Sequence, residues 1–212
     1  MSVLPPEMVV LLASAASIAF VHTLAGPDHY LPFVSMALAR RWGWRKVMGI
    51  TLLCGTGHLV GSVLLGLLGS WASTGIDSLV ASESWRGDLA AWLLLSVGLL
   101  YLAWGIRHAG RKEARRHSHY HPQWAIFIIF ILGPCEPLIP VWMYPAAKAS
   151  LTGVLLVTGV FGAVTLFTMT LAVGLSYYGL RRLHLLDMSR YSHAIAGATI
   201  SVCGGSILLL GL

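Results

Sequence analysis

The sequence predicts an all-α integral membrane protein: six transmembrane helices forming two inverted three-helix repeats, with the first and fourth helices broken at Gly-Pro. Three observations lead there. The 212-residue chain is 57% hydrophobic and only 10% charged, with a mean hydropathy of +0.77. Six long apolar segments take up almost all of it, and a spanning helix needs about 20 residues. Finally, the stretch HTLAGPDHYLPFVSMALA returns in altered form as IFILGPCEPLIPVWMYPA.

The first apolar segment covers 8–39. As one helix it would run roughly 48 Å, well beyond a hydrocarbon core of about 30 Å. Gly26-Pro27 offers a break, since proline lacks an N–H and suits the first turn of a new helix. Asp28 and His29 then fall in that first turn, with His22 just before the break. The preceding MSVLPPEMVV has no basic region and carries Pro5, Pro6 and Glu7. The first segment is therefore expected to be retained rather than cleaved as a signal peptide.

The second segment, 48–70, contains CGTGHLVGS and with it His58; the third is 89–106. A basic loop follows over 107–123, with His108, His117, His119 and His121. Alternate histidines in an extended segment project to one side and can chelate a metal. The plainer reading is a solvated basic loop. The fourth segment, 124–147, repeats the break at Gly133-Pro134, followed by Cys135 and Glu136. The fifth, 151–180, and the Gly-rich sixth, 194–212, complete a single transmembrane domain, with repeat 1 over about 8–106 and repeat 2 over about 124–212.

At an offset of 107, Gly26 meets Gly133, Pro27 meets Pro134, Leu31 meets Leu138, Val34 meets Val141, Met36 meets Met143 and Ala39 meets Ala146. Asp28-His29 falls on Cys135-Glu136. Three crossings are an odd number, so the second repeat enters the membrane from the opposite side. Many secondary transporters are built this way.

Charge sets the expected orientation. All but two of the 14 Lys and Arg residues fall in the first, third and fifth loops, leaving only Arg86 and Lys148 on the other side. The positive-inside rule puts those three loops in the cytoplasm and both termini outside, in a multi-pass protein of the cell (inner) membrane. The pI near 9.6 thus reflects topology, and no nucleic-acid partner is expected. Cys54, Cys135 and Cys203 lie on different apolar segments and form no disulfide framework.

Ionisable groups within membrane segments cost about 2.5–3.5 kcal/mol each at a helix centre and mark functional sites by default. Here they are His22, Asp28, His29, His58 and Glu136, with Cys135 beside them. Imidazole, carboxylate and thiolate together make the ligand set of a first-row transition metal. A hard cation would more commonly show carboxylates and carbonyls alone. Two half-helix N-termini would repel a cation, but Asp28 and Glu136 offset that field. The structural alternative is that Asp28 caps its half-helix, Glu136 pairs with an Arg and His58 is a satisfied core histidine. No Lys or Arg lies within the segments to serve as that partner.

These residues also carry a family resemblance. His22, Asp28 and His29, spaced His-x5-Asp-His, resemble the His-x4-Asp-His signature of the nickel–cobalt transporter family and its urease-accessory and nickel-efflux relatives. The spacing differs by one residue. GTGHLVGS resembles the second Gly-His motif of those proteins. GPCEPLIP resembles the Pro-Cys element of the efflux and urease-accessory members and of the thiol-relay membrane proteins of cytochrome c biogenesis. The His-rich loop is also similar to that of the efflux members. The resemblance implies a six-helix, two-repeat fold, a nickel or cobalt substrate, and a metal path of His22, Asp28, His29 and His58, with Cys135 by position.

The leading expectation is therefore a permease, not an enzyme, for a divalent transition-metal ion held near the midplane. It has no tightly bound cofactor and works by alternating access in the lipid bilayer, alone or as a homo-oligomer. Two other readings stay open. A transmembrane thiol–disulfide relay needs two cysteines able to meet, yet Asp28 occupies the position symmetric to Cys135. A transporter of a small anion or organic solute could use the same scaffold. Hydrolase motifs such as G-x-S-x-G and H-E-x-x-H are absent from the sequence.

Overall fold

The computed structural model describes residues 5–71, 76–109, 150–182 and 191–210, together with 124, 127–130, 133, 138 and 141; the side chains of 65–71 and 76–83 are outside that description. The fold is all-α, and no strand occurs among the described residues. In order come α1 (Pro6–Ala25), a 3-10 turn (Pro27–His29), α2 (Leu31–Ala39), α3 (Trp44–Trp71), α4 (Ile76–Ala109), α5 (Leu151–Arg182) and α6 (Ser192–Leu210). Among the described residues, five stretches are long and apolar enough to cross a bilayer: Pro6–Ala25, Trp44–Leu64, Ser84–Ala109, Leu151–Arg182 and Ser192–Leu210. The protein is a multi-pass membrane protein. The predicted fourth span, 124–147, is described at a few positions only, helical at 124, 127–130, 138 and 141.

The first segment is broken where Gly-Pro predicts, but the new helix starts later than expected. Asp28 and His29 lie in the 3-10 turn, and α2 begins at Leu31. Pro32 explains the delay. A helix starting at Pro27 would place Pro32 in its interior, where the ring clashes with the preceding turn and a hydrogen bond is lost. Starting at Leu31 puts Pro32 in the first turn, where its missing N–H costs nothing. Helices α3 and α4 also begin earlier than the apolar segments, at Trp44 and Ile76. Hydropathy marks where lipid begins, whereas the hydrogen-bond ladder runs on into the polar residues that flank the apolar run.

The outside of the bundle is apolar: Val10, Leu100, Phe167, Leu175 and Val202 are all well over half exposed. Such a surface suits lipid. With lipid outside, helices are held together by close packing rather than by a hydrophobic drive. The α4–α6 pair shows how. Leu95 faces Gly204, Gly98 faces Ser201, Leu102 faces Gly197 and Gly105 faces Ala194, so the two helices run antiparallel. A Cβ at any of these four glycines would collide with backbone of the opposite helix.

Helices α3 and α5 are also antiparallel, with Gly55 against Leu166, Leu59 against Gly162 and Trp44 against Gly174. In contrast, α1 and α5 run parallel: Ala15 shares a cluster with Val157, and Ala19 shares one with Phe161. The short α2 packs against α3, α5 and α6. Its Phe33, Val34, Met36 and Ala37 are buried in the main core with Cys54, Tyr101, Phe130, Met169, Val173 and Cys203.

At the end of the bundle that carries Arg40, Arg41, Arg45, Lys46, Arg181 and Arg182, α5 is tied to the turn between α2 and α3. The Tyr177 hydroxyl donates to the Trp42 carbonyl at 2.8 Å and accepts from Arg181 Nη1 at 3.2 Å. Helix α2 ends in a Schellman turn, with Trp42 N–H on the Ala37 carbonyl. The left-handed position is held by Arg41 at φ 53°, a place glycine usually fills.

Candidate intramembrane metal site

His22 lies in the last turn of α1, where its carbonyl accepts the Gly26 N–H at 2.9 Å and closes the helix. The chain then folds back sharply. A Cβ on Gly26 would stand 2.6 Å from His29 Nδ1 and 2.9 Å from Asp28 Oδ1. Glycine is what lets the turn bring those two side chains over its own backbone.

His29 is buried, its Nδ1 3.2 Å from the Gly26 carbonyl and 3.3 Å from Asp28 Oδ1. Both neighbours are acceptors, so Nδ1 carries the proton, and in the neutral ring Nε2 keeps the lone pair. His58 stands four turns into α3, roughly 21 Å from Trp44 at about 1.5 Å per residue. It is buried too, and its Nδ1 donates to the Phe130 carbonyl at 3.0 Å. That bond selects the same tautomer, with Nε2 free to ligate.

Three imidazoles, from α1, the 3-10 turn and α3, meet here. The His22 and His29 ring centroids are 4.9 Å apart, and those of His29 and His58 are 5.7 Å apart, both pairs edge to face. The Phe130 ring closes the group, 6.3 Å from His29 and 6.1 Å from His58. Gly133, the first residue of the second Gly-Pro pair, is in the same place: a Cβ there would lie 3.5 Å from His58 Nδ1. The described parts of both Gly-Pro motifs therefore converge on His58. Among the described residues, Nε2 of His22 and of His58 are buried without a hydrogen-bond partner.

Four predicted site residues are thus brought together: His22, Asp28, His29 and His58. Cys135, Glu136, His117, His119 and His121 lie outside the described residues. His108 belongs to α4 rather than to the loop, with Nδ1 2.9 Å from the Trp104 carbonyl. Cys54 and Cys203 are buried and free. Among the described residues, no three His, Cys, Asp or Glu side chains are set to hold one metal ion. The geometry accounts for this: edge-to-face stacking aims ring at ring, and the Nδ1 atoms of His29 and His58 are turned to carbonyls.

Sequence reasoning missed the Phe130 carbonyl, which no residue type announces. It also missed Thr23, fully buried beside His22, and the pairing of the Tyr101 hydroxyl with His193 Nδ1 at 2.6 Å. No family model, curated protein or solved structure matches the chain.

Proposed function

We propose that this protein is a membrane permease for a divalent transition-metal ion, nickel or cobalt in the first instance. One observation carries the reading: three imidazoles and a carboxylate, brought from the two ends of the Gly-Pro break and from α3, gather at membrane depth, with the Nε2 atoms of His22 and His58 buried and unpartnered among the described residues. A bilayer protein has little reason to keep such groups unless something polar visits them. Neutral imidazole nitrogens beside a carboxylate suit a borderline cation better than an anion or a hard cation.

On this reading the ion draws the imidazoles out of their edge-to-face stack and onto itself, with Asp28 neutralising part of its charge. Cys135 and Glu136, next to Gly133 in sequence, complete the ligand set from the second motif. The six-span inverted repeat, the alternating access and the basic end facing the cytoplasm belong to the same proposal. So does kinship with the nickel–cobalt transporter family, for which the motifs at His22, His58 and Gly133 speak.

The test is metal content. Cells expressing the protein are compared with cells expressing the Asp28→Ala/His29→Ala double variant for total Ni, Co, Zn, Cu and Mn. The reading requires a change in one metal that disappears in the variant, and the sign of the change gives the direction. No change under several metal loads would sink it.

A further inference from the structure

Hydroxyl groups in membrane helices usually satisfy themselves by bonding to a carbonyl one turn back. Among the described residues six do so: Ser35, Thr158, Thr170, Thr199, Ser201 and Ser206, at 2.6 to 3.1 Å. Four threonines do not. Thr23, Thr51, Thr165 and Thr168 are each at most 2% exposed, and their hydroxyl oxygens have no hydrogen-bond partner among the described residues. A buried hydroxyl left unpaired has given up its water for nothing in return, so four of them call for an occupant.

Helix register sets the four at neighbouring depths, next to that of the imidazoles. Along the parallel α1–α5 contact, Ala15 goes with Val157 and Ala19 with Phe161. Another advance of four on each helix sets Thr23 opposite Thr165. Across the antiparallel α3–α5 contact, Leu59 meets Gly162 and Gly55 meets Leu166. Thr165 is therefore level with the turn ending at His58, and Thr51 is level with the turn that holds Thr168. Thr165 and Thr168, three apart, share one face of α5. The oxygens thus run from the depth of His22 and His58 toward the basic end. Beyond them Val47, Val173 and Trp42 fill the core, next to the Tyr177–Trp42 bond.

We infer that Thr23, Thr165, Thr168 and Thr51 form a hydroxyl-lined step by which the cation, still carrying some of its water, passes between the imidazole cluster and the basic end of the bundle. The inference rests on the permease reading. Its chemistry complements that of the cluster. Imidazole nitrogens hold a transition-metal ion firmly, whereas neutral hydroxyl oxygens hold it weakly, and conduction needs sites that an ion can leave.

The experiment is cobalt uptake into proteoliposomes containing wild type or one of Thr165→Val, Thr168→Val, Thr158→Val and Thr170→Val. Valine keeps the volume and removes the hydroxyl. Thr165→Val and Thr168→Val should lose at least tenfold in rate while still binding cobalt in detergent. The two self-bonded controls should transport as wild type does. Equal rates in all four variants, or an equal loss in all four, would overturn the inference while leaving the permease reading in place. If wild type itself moves none of Ni, Co, Zn, Cu or Mn, that reading falls first. Reaction of Thr165→Cys and Thr170→Cys with a water-soluble thiosulfonate then decides. Labelling of the first alone keeps a hydrated step, and labelling of neither removes it.

Discussion

His58 donates from Nδ1 to the carbonyl of Phe130, 72 positions along the chain and 3.0 Å away. The bond links the Gly-His motif of α3 to the turn of helix before Gly133. It also holds the imidazole with Nε2 free, which is how a ligating histidine is usually oriented from behind. His58→Ala and His22→Ala should each weaken cobalt or nickel binding by about 10–100-fold, the range for losing a ligand or its support. His108→Ala, at the far end of α4, should not. Isothermal titration of the solubilised protein separates them, and parity among the three would remove the cluster from the site.

Gly26 has no room for a methyl group, because His29 Nδ1 and Asp28 Oδ1 already occupy the space. Gly26→Ala should destabilise the protein by about 1–3 kcal/mol, as overpacking does. It should also displace His29 from Asp28, so metal binding falls further than the loss of stability accounts for. Thermal unfolding and metal titration of one preparation test both halves.

The α4–α6 seam is a matter of clearance. Gly105→Leu or Gly197→Leu forces two backbones apart and should lower the unfolding midpoint sharply or prevent folding. Gly49→Ala and Gly179→Ala face open space and gain helix propensity, so a midpoint unchanged or slightly raised is expected. A thermal shift series in detergent makes the comparison.

Tyr177→Phe removes the hydrogen bond to Trp42 but keeps the ring. A loss of about 1 kcal/mol is expected, concentrated at the basic end. Hydrogen exchange should quicken over 40–46 and hardly change in α6. Uniform protection across the chain would mean that Tyr177 does not hold that end closed.

Arg41 supplies a left-handed residue at the end of α2, at a cost of about 1–2 kcal/mol for a side chain with a Cβ. Arg41→Gly should therefore raise the midpoint, unless the charge itself anchors this end. Arg41→Asn, which tolerates the same backbone, distinguishes strain from charge: a gain with glycine and not with asparagine would point away from backbone strain.

Local physics makes much of this legible in the chain. Apolar run length announces the membrane spans, and Gly26-Pro27 announces the break in the first. The start of α2 falls later than Pro27 alone suggests, because Pro32 obeys the same rule and has to be weighed against it. Polar residues within lipid-length segments single out His22, Asp28, His29 and His58, since charge at that depth is costly unless it has work to do. Their meeting place is another matter. His22, Asp28 and His29 are close because they are close in sequence, but His58 joins them only through the seating of α3 against Phe130.

Thr165 and Thr170 look alike in the sequence, and only the packed bundle leaves one hydroxyl unmet and lets the other bond to Leu166. The solvent, the helices, the break and the identity of the polar groups all follow from the order of residues, because hydropathy and backbone chemistry act over a few positions. Which of those groups meet, which hydroxyls stay unpaired and where two helices touch through glycine are products of packing. They follow from register between helices far apart in the chain, set by side-chain fit summed over whole faces.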